Sequence, residues 1–176
     1  MKFIKLFATA AIIVQAATGT GVAQQEETNN RVAAEQAWSV FENGDPKQCW
    51  AVATPRESLN ADDQGRPKSV RRGKILLFVT HRVGGTQGEV SFTGGYPFAP
   101  GSTVTLEIGG DKFEMFIEGE YAWSSSPEDD AKIIAAMKKG TDAVLKAHSS
   151  RGTYTTDTFS LLGVTAATDE AAKRCQ

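Results

Sequence analysis

The sequence is short of the residues from which small catalytic and metal centres are most often built. Its 176 residues include two cysteines and two histidines. Cys49 and Cys175 lie far apart in sequence, so no C-x-x-C zinc or redox motif exists. His81 and His148 show neither H-x-H nor H-x-x-x-H spacing, no G-x-S-x-G surrounds a serine, and no glycine run ends in G-K-[ST]. Those absences remove the signatures of a helical zinc site, a nucleophile elbow and a phosphate-binding P-loop. Charge of one sign is also lacking: 19 Lys and Arg stand against 21 Asp and Glu, a net charge of −2. There is no basic footprint for nucleic acid.

What the sequence does have begins at its N-terminus. Lys2 and Lys5 form a positive region, Leu6 to Val14 an apolar core broken only by Thr9, and Gly21-Val22-Ala23 supplies small residues at a cleavage site. Residues 1–23 therefore read as a secretory signal peptide cut after Ala23. The alternative, an uncleaved anchor, needs roughly 20 apolar residues, and Gln15 and the Thr18–Gly21 stretch end the run sooner. No cysteine near the cut offers a lipid attachment, and no later apolar segment is long enough to span a bilayer. Taking 23 residues from 176 leaves 153, and losing Lys2 and Lys5 moves the net charge from −2 to −4. Localisation is expected to be periplasmic or secreted. In an oxidising compartment the two cysteines are expected to pair, Cys49 with Cys175, as a structural disulfide. Closing so long a loop is worth roughly 4–5 kcal/mol by chain entropy and about 2–4 in practice.

Residues 24–36 are polar and aperiodic and read as a flexible leader, with a single domain over 37–176. Trp38–Glu42 and Gln48–Ala53 flank the turn formers Asn43-Gly44-Asp45-Pro46, which predicts a hairpin with Trp38 and Trp50 in the core. Pro55–Pro67 reads as an exposed loop. Lys74–Val83 is an apolar run of strand formers expected to be buried on both faces, while Glu89–Thr93, Thr103–Ile108 and Lys112–Ile117 are further strands. Ser126 and Pro127 open a helix with Glu128, Asp129 and Asp130 in its first turn, Lys138 and Lys139 at its end and Gly140 as C-cap. Ile133, Ile134 and Met137 give that helix an apolar stripe. Asp142–His148 and Gly152–Leu161 return to strand character, and a short helix over Thr165–Arg174 carries Cys175 back to Cys49. The fold class is mainly β: an antiparallel sandwich-like domain with one inserted helix and a short C-terminal helix.

Chemistry has few candidates. His81 and His148 with Asp157 or Glu89 would make a metal site only if their strands were neighbours; otherwise both histidines are strand-end residues. Asp62-Asp63 and Asp129-Asp130 are accounted for by solvation and the helix dipole. The polar stretch Ser149–Thr158, joined to Arg71-Arg72-Gly73, would form an anion-binding edge of guanidinium forks and backbone N–H groups. Its competitor is a structural pair between Arg151 and Asp157. Tyr96, Phe98, Tyr121 and Trp123 form either an aromatic patch or part of the core.

Several stretches together resemble the invasion-associated locus B family: W-x-V at Trp38–Val40, the strand at Cys49, R-R-G-x-I-L-L-F-V from Arg71 to Val79, and G-E-V-S-F at Gly88–Phe92. They continue with G-Y-P-F at Gly95–Phe98, an M-K-K-G helix end, S-S-R-G-T from Ser149 and D-T-F-S-L-L-G-V-T-A-A from Asp157 to Ala167. The resemblance spans about Trp38 to Cys175. It implies a small, exported, β-rich protein of Gram-negative bacteria, and it carries no catalytic residues across. Members often have W-x-V-x-C, where this chain has Phe41-Glu42, which implies a different disulfide pattern.

The leading expectation is thus an exported, non-enzymatic envelope protein, without cofactor or metal, that binds a protein or envelope component. Its expected surface is Arg71, Arg72, Tyr96, Phe98, Ser149, Ser150, Arg151 and Asp157. The second expectation is a small-ligand or metal-assisted enzyme using His81, His148 and Asp157, and the third a structural protein that self-associates through sheet edges.

Overall fold

A computed structural model describes residues 30–85 and 87–176; the expected signal segment and residues 24–29 of the expected leader lie outside them. The strands are β1 (Arg31–Glu35), β2 (Trp38–Asn43), β3 (Gln48–Ala53), β4 (Glu57–Ala61), β5 (Leu76–Arg82), β6 (Gln87–Thr93), β7 (Val104–Ile108), β8 (Asp111–Glu118), β9 (Tyr121–Trp123), β10 (Asp142–His148) and β11 (Tyr154–Ser160). Helix α1 (Pro127–Met137) follows β9, and α2 (Val164–Arg174) closes the chain. The described strands form one antiparallel sheet in the order β1-β2-β3-β5-β6-β9-β8-β7-β10-β11-β4.

Strand β8 joins the two halves by changing partner along its length. Asp111 to Met115 pair with β7, and Phe116 to Glu118 pair with β9. The inner faces of the halves meet through alternating apolar residues, as a period of two requires. Phe92 of β6 meets Phe159 of β11 edge-on at 6.1 Å, and the Trp38 indole donates to the Ser160 carbonyl at 3.0 Å. The result is the mainly β, sandwich-like domain that the alternation implies.

Both helices follow their sequence signals. The Ser126 hydroxyl caps α1 by accepting the Asp129 N–H, and Ile133 and Met137 are buried. The helix ends at Lys138 in ordinary helical geometry, so Gly140 is not its left-handed cap. Where β9 is too short to pair with all of β6, the Asp130 carboxylate accepts the Val90 N–H at 2.7 Å, and the Ser124 hydroxyl donates to the same carboxylate. Burial raises the Asp130 pKa, against the pull of those two hydrogen bonds. Helix α2 lays Val164, Ala167, Thr168 and Ala171 along one buried stripe, small enough to sit close on β2 and β3. Its N-cap, Gly163, has φ +92° and approaches the Glu35 carbonyl so closely that a Cβ would collide with it. The far end is bonded to the sheet: Cys49 and Cys175 form a disulfide with a Cα–Cα distance of 5.8 Å.

Besides the Gly140 cap, four local readings change. The polar stretch expected as a leader through residue 36 enters the sheet at Arg31, because β2 and α2 give β1 its partners. Within the expected loop Pro55–Pro67, Glu57–Ala61 is an edge strand on β11, whose backbone supplies the order that the polar side chains do not. Strand β5 is not buried equally on both faces: Leu77, Val79 and His81 are buried, whereas Leu76, Phe78 and Thr80 are half-covered. Trp38 is in the core, but Trp50 lies on the outer face, stacked on Phe41 with ring centroids 5.8 Å apart.

Candidate functional site

Three chain segments converge at one end of the sandwich: the approach to β5 (residues 68–73), the irregular run after β6 (94–99), and the turn between β10 and β11 (149–153). Backbone hydrogen bonds lock them. Gly73 donates to the Gly95 carbonyl at 2.8 Å, Ser150 to Pro97 at 2.9 Å, and Ala99 to His148 at 2.8 Å. Gly95 is required here, since its φ is +73° and a Cβ would lie 2.7 Å from the Gly73 backbone. The turn is tightened by Ser149, whose hydroxyl accepts the Thr153 N–H at 3.0 Å.

Between these segments lies a cleft of about 370 Å³. Arg71, Arg72, Tyr96, Ser149, Ser150 and Arg151 line it, so six of the eight residues expected to form a binding surface come together. The other two stand behind it. Phe98 is buried edge-on against Tyr96, ring centroids 5.3 Å apart, and Asp157 is fully buried beneath Arg72. Thr153 and Thr155, from the expected Ser149–Thr158 stretch, also line the cleft, as do Lys68 and Val70, which were not singled out from the sequence. A signal for Lys68 was present: three cations fall within Lys68–Arg72 in a chain with 19 Lys and Arg against 21 Asp and Glu.

The two adjacent arginines have different roles. The Arg72 side chain is 6% exposed, and its guanidinium donates to both Asp157 oxygens at 2.8 and 2.6 Å and to the Gly94 carbonyl at 2.9 Å. It also lies 5.0 Å from the centroid of the Tyr96 ring. The Tyr96 hydroxyl shares a 2.5 Å hydrogen bond with Thr155, and burial raises the Tyr96 pKa, so the phenol stays neutral. Arg71 and Arg151 are exposed and form no ion pair among the described residues. The expected Arg151–Asp157 pair is therefore replaced by Arg72–Asp157. Arg151 sits in the turn, whereas Asp157 is three strand residues beyond Tyr154, about 10 Å farther along, with its side chain in the interior.

The histidines lie elsewhere. His81, 7% exposed, borders a groove between β5 and the two helices, and neither of its ring nitrogens forms a hydrogen bond. Burial lowers its pKa; the Gln87 amide, near but outside bonding geometry, opposes that shift. His148 stacks on Tyr154 at 4.3 Å. It projects from the outer face of β10, while Asp157 points inward from β11, and Glu89 is bridged to Arg82. His81, His148 and Asp157 are thus not brought together, and no group of three or more His, Cys, Asp or Glu placed to hold a metal occurs among the described residues. The four aromatics also divide: Tyr96 lines the cleft with Phe98 packed behind it, while Tyr121 and Trp123 pair on β9. A second concavity, about 500 Å³, lies on the outer face of β2, β3 and β5 beside Phe41, Val52 and Phe78.

Over residues 42–172 the sequence matches the model of the invasion associated locus B (IalB) protein family. The chain belongs to that family. The matched span includes every residue lining the cleft of this IalB domain; Cys49 falls within it and Cys175 just beyond. The crystal structure of invasion associated protein B from Bartonella henselae has a similar fold, with a TM-score of 0.56, 17% identity, and coverage of 81% of this chain and 96% of that one. No curated protein matches this IalB chain significantly.

Proposed function

We propose that this IalB protein is an exported, non-enzymatic domain of the bacterial envelope that works by binding, with the cleft between Arg71, Tyr96 and Ser150 as its contact site for a protein or envelope component. The observation that carries the reading is the pre-organised cleft itself. Three segments fixed by backbone hydrogen bonds present two uncommitted guanidinium groups and the exposed Ser150 around a concavity of ligand size. Its lining, among the described residues, contains no histidine, cysteine or carboxylate. Export is supported by the charge and apolar pattern of residues 1–23 and by a disulfide of the kind that persists in oxidising compartments. From the family the reading takes location and class, and not the invasion named for the Bartonella henselae protein.

The test is site-specific photocrosslinking in cells. A photoreactive residue at Ser150 is expected to yield a discrete, saturable adduct in the envelope fraction. The same residue at Lys112, at the opposite end of the β7–β8 hairpin, is expected to yield none. Equal adducts from both positions, or adducts only with cytoplasmic material, would overturn the reading.

A further inference from the structure

From the charge distribution of the cleft we infer that its ligand presents a phosphate monoester, either on a soluble small molecule or as a lipid headgroup. The inference rests on the proposed binding role and names the chemistry that the site would recognise.

The cleft holds both committed and available charge. Arg72 is held by Asp157 through two hydrogen bonds, so that pair leaves no net charge in the cleft wall. Arg71 and Arg151 line the cleft from two different segments, with no carboxylate partner among the described residues. Lys68 stands beside them, and the carboxylate it influences, Asp62, is already bridged to Arg66 at 2.7 Å. Three cations therefore surround a cavity that no acidic side chain lines, on a chain whose formal net charge is −2. General attraction does not bring an anion to this molecule; local arrangement does.

A carboxylate carries one charge and suits one guanidinium fork, which would leave the other cations facing each other unneutralised. A phosphate monoester carries about −1.5 to −2 at pH 7 and three acceptor oxygens. It can accept forks from Arg71 and Arg151 together, with the Ser150 hydroxyl as a further donor. The cavity, about 370 Å³, is at the small end of ligand pockets. That volume suits a compact headgroup and not an extended acidic peptide. The cleft is also rigid: the segments bearing Arg71 and Arg151 are each tied to the 95–98 run, so much of the ordering cost falls on folding.

The experiment titrates the protein calorimetrically with glycerol 3-phosphate, with glycerol and with acetate. A second arm sediments it with phosphatidylcholine vesicles carrying either phosphatidate, a monoester, or phosphatidylglycerol, a diester. Saturable binding is expected for the monoester in at least one arm, well ahead of the parent alcohol, acetate and the diester. The Arg71→Ala/Arg151→Ala double variant is expected to lose about tenfold or more in affinity. Its melting temperature should not change, because neither side chain has an ion-pair or hydrogen-bond partner among the described residues. Arg56→Ala, which removes an exposed arginine bridged to Asp142 away from the cleft, should bind as wild type. Binding only to glycerol 3-phosphate marks a soluble ligand, and binding only to phosphatidate vesicles marks a lipid headgroup. No monoester binding in either arm, equal affinity for acetate or the diester, or an unaffected double variant would overturn the inference. If the Ser150 crosslink persists in that double variant, the binding role stands and the phosphate chemistry fails; if no crosslink forms in wild type, the binding role fails on its own.

Discussion

Arg72 and Asp157, 85 residues apart in the chain, close on each other through two hydrogen bonds of 2.8 and 2.6 Å in the interior. Their side chains are 6% and 0% exposed, so the pair ties the approach to β5 to the inner face of β11 under the cleft. Removing one partner strands a buried charge. Asp157→Ala or Arg72→Ala is expected to cost about 3–5 kcal/mol in denaturant unfolding. Replacing both, as Arg72→Met/Asp157→Leu, should cost less than either single change. Single variants as stable as wild type would contradict this role.

The Cys49–Cys175 bond fastens the last turn of α2 to β3 across 126 positions. The Cys49→Ala/Cys175→Ala variant is expected to lose about 2–4 kcal/mol. It should keep the native fold, because the Val164, Ala167 and Ala171 stripe still packs. Urea unfolding of the two proteins side by side measures the difference. A stability equal to wild type would contradict it.

His81 makes stability depend on pH in a definite direction. Burial holds its pKa below the ordinary 6.5, so the unfolded chain binds the proton at higher pH than the folded one. Its contribution is therefore complete above about pH 6.5 and is lost as pH falls toward the depressed folded value. Lys138 acts with the burial and Asp169 against it. Asp130 has the opposite sign: its raised pKa means that stability falls as pH rises from the ordinary 3.8 through the folded value. His81→Leu is expected to flatten the loss of stability just below pH 6.5. An unchanged pH profile in that variant would contradict the assignment.

How far these features were legible in the sequence depended on where each element finds its order. The β2–β3 and β7–β8 hairpins carry their own alternation and turn residues, and α1 carries its own cap, acidic first turn and apolar stripe. Strands β1 and β4 do not: Arg31–Glu35 is short, with charged ends, and Glu57–Ala61 is mostly polar, and they take their order from β2 and β11. Trp50 resembles Trp38 in composition and context, but faces the other side of the sheet. Ser149–Arg151 and Arg71-Arg72 were recognisable as related polar groups. Which arginine meets Asp157 was not, because that follows from how two distant segments meet at the sandwich interior.

Gly95 is where backbone geometry and the cleft meet. Gly95→Ala would put a Cβ 2.7 Å from the Gly73 backbone at a φ of +73°. The change is expected to destabilise the protein by more than about 1 kcal/mol and to weaken cleft binding, because the Arg71 segment must shift. Thermal unfolding paired with the glycerol 3-phosphate titration reads both effects. Gly65→Ala, also at positive φ but with nothing near its Cβ, provides the strain-only comparison. Equal losses for the two variants would show that the Gly73 approach is unimportant.

The central claim is that this domain meets its envelope partner at the cleft, and amide spectra of isotope-labelled protein in an unlabelled envelope extract test it most directly. The expected result is broadening or shifts concentrated in residues 70–73, 95–98 and 149–153, weakened in the Arg71→Ala/Arg151→Ala variant. An unperturbed cleft, with changes instead at Phe41, Trp50 and Phe78 on the outer sheet face, would contradict it.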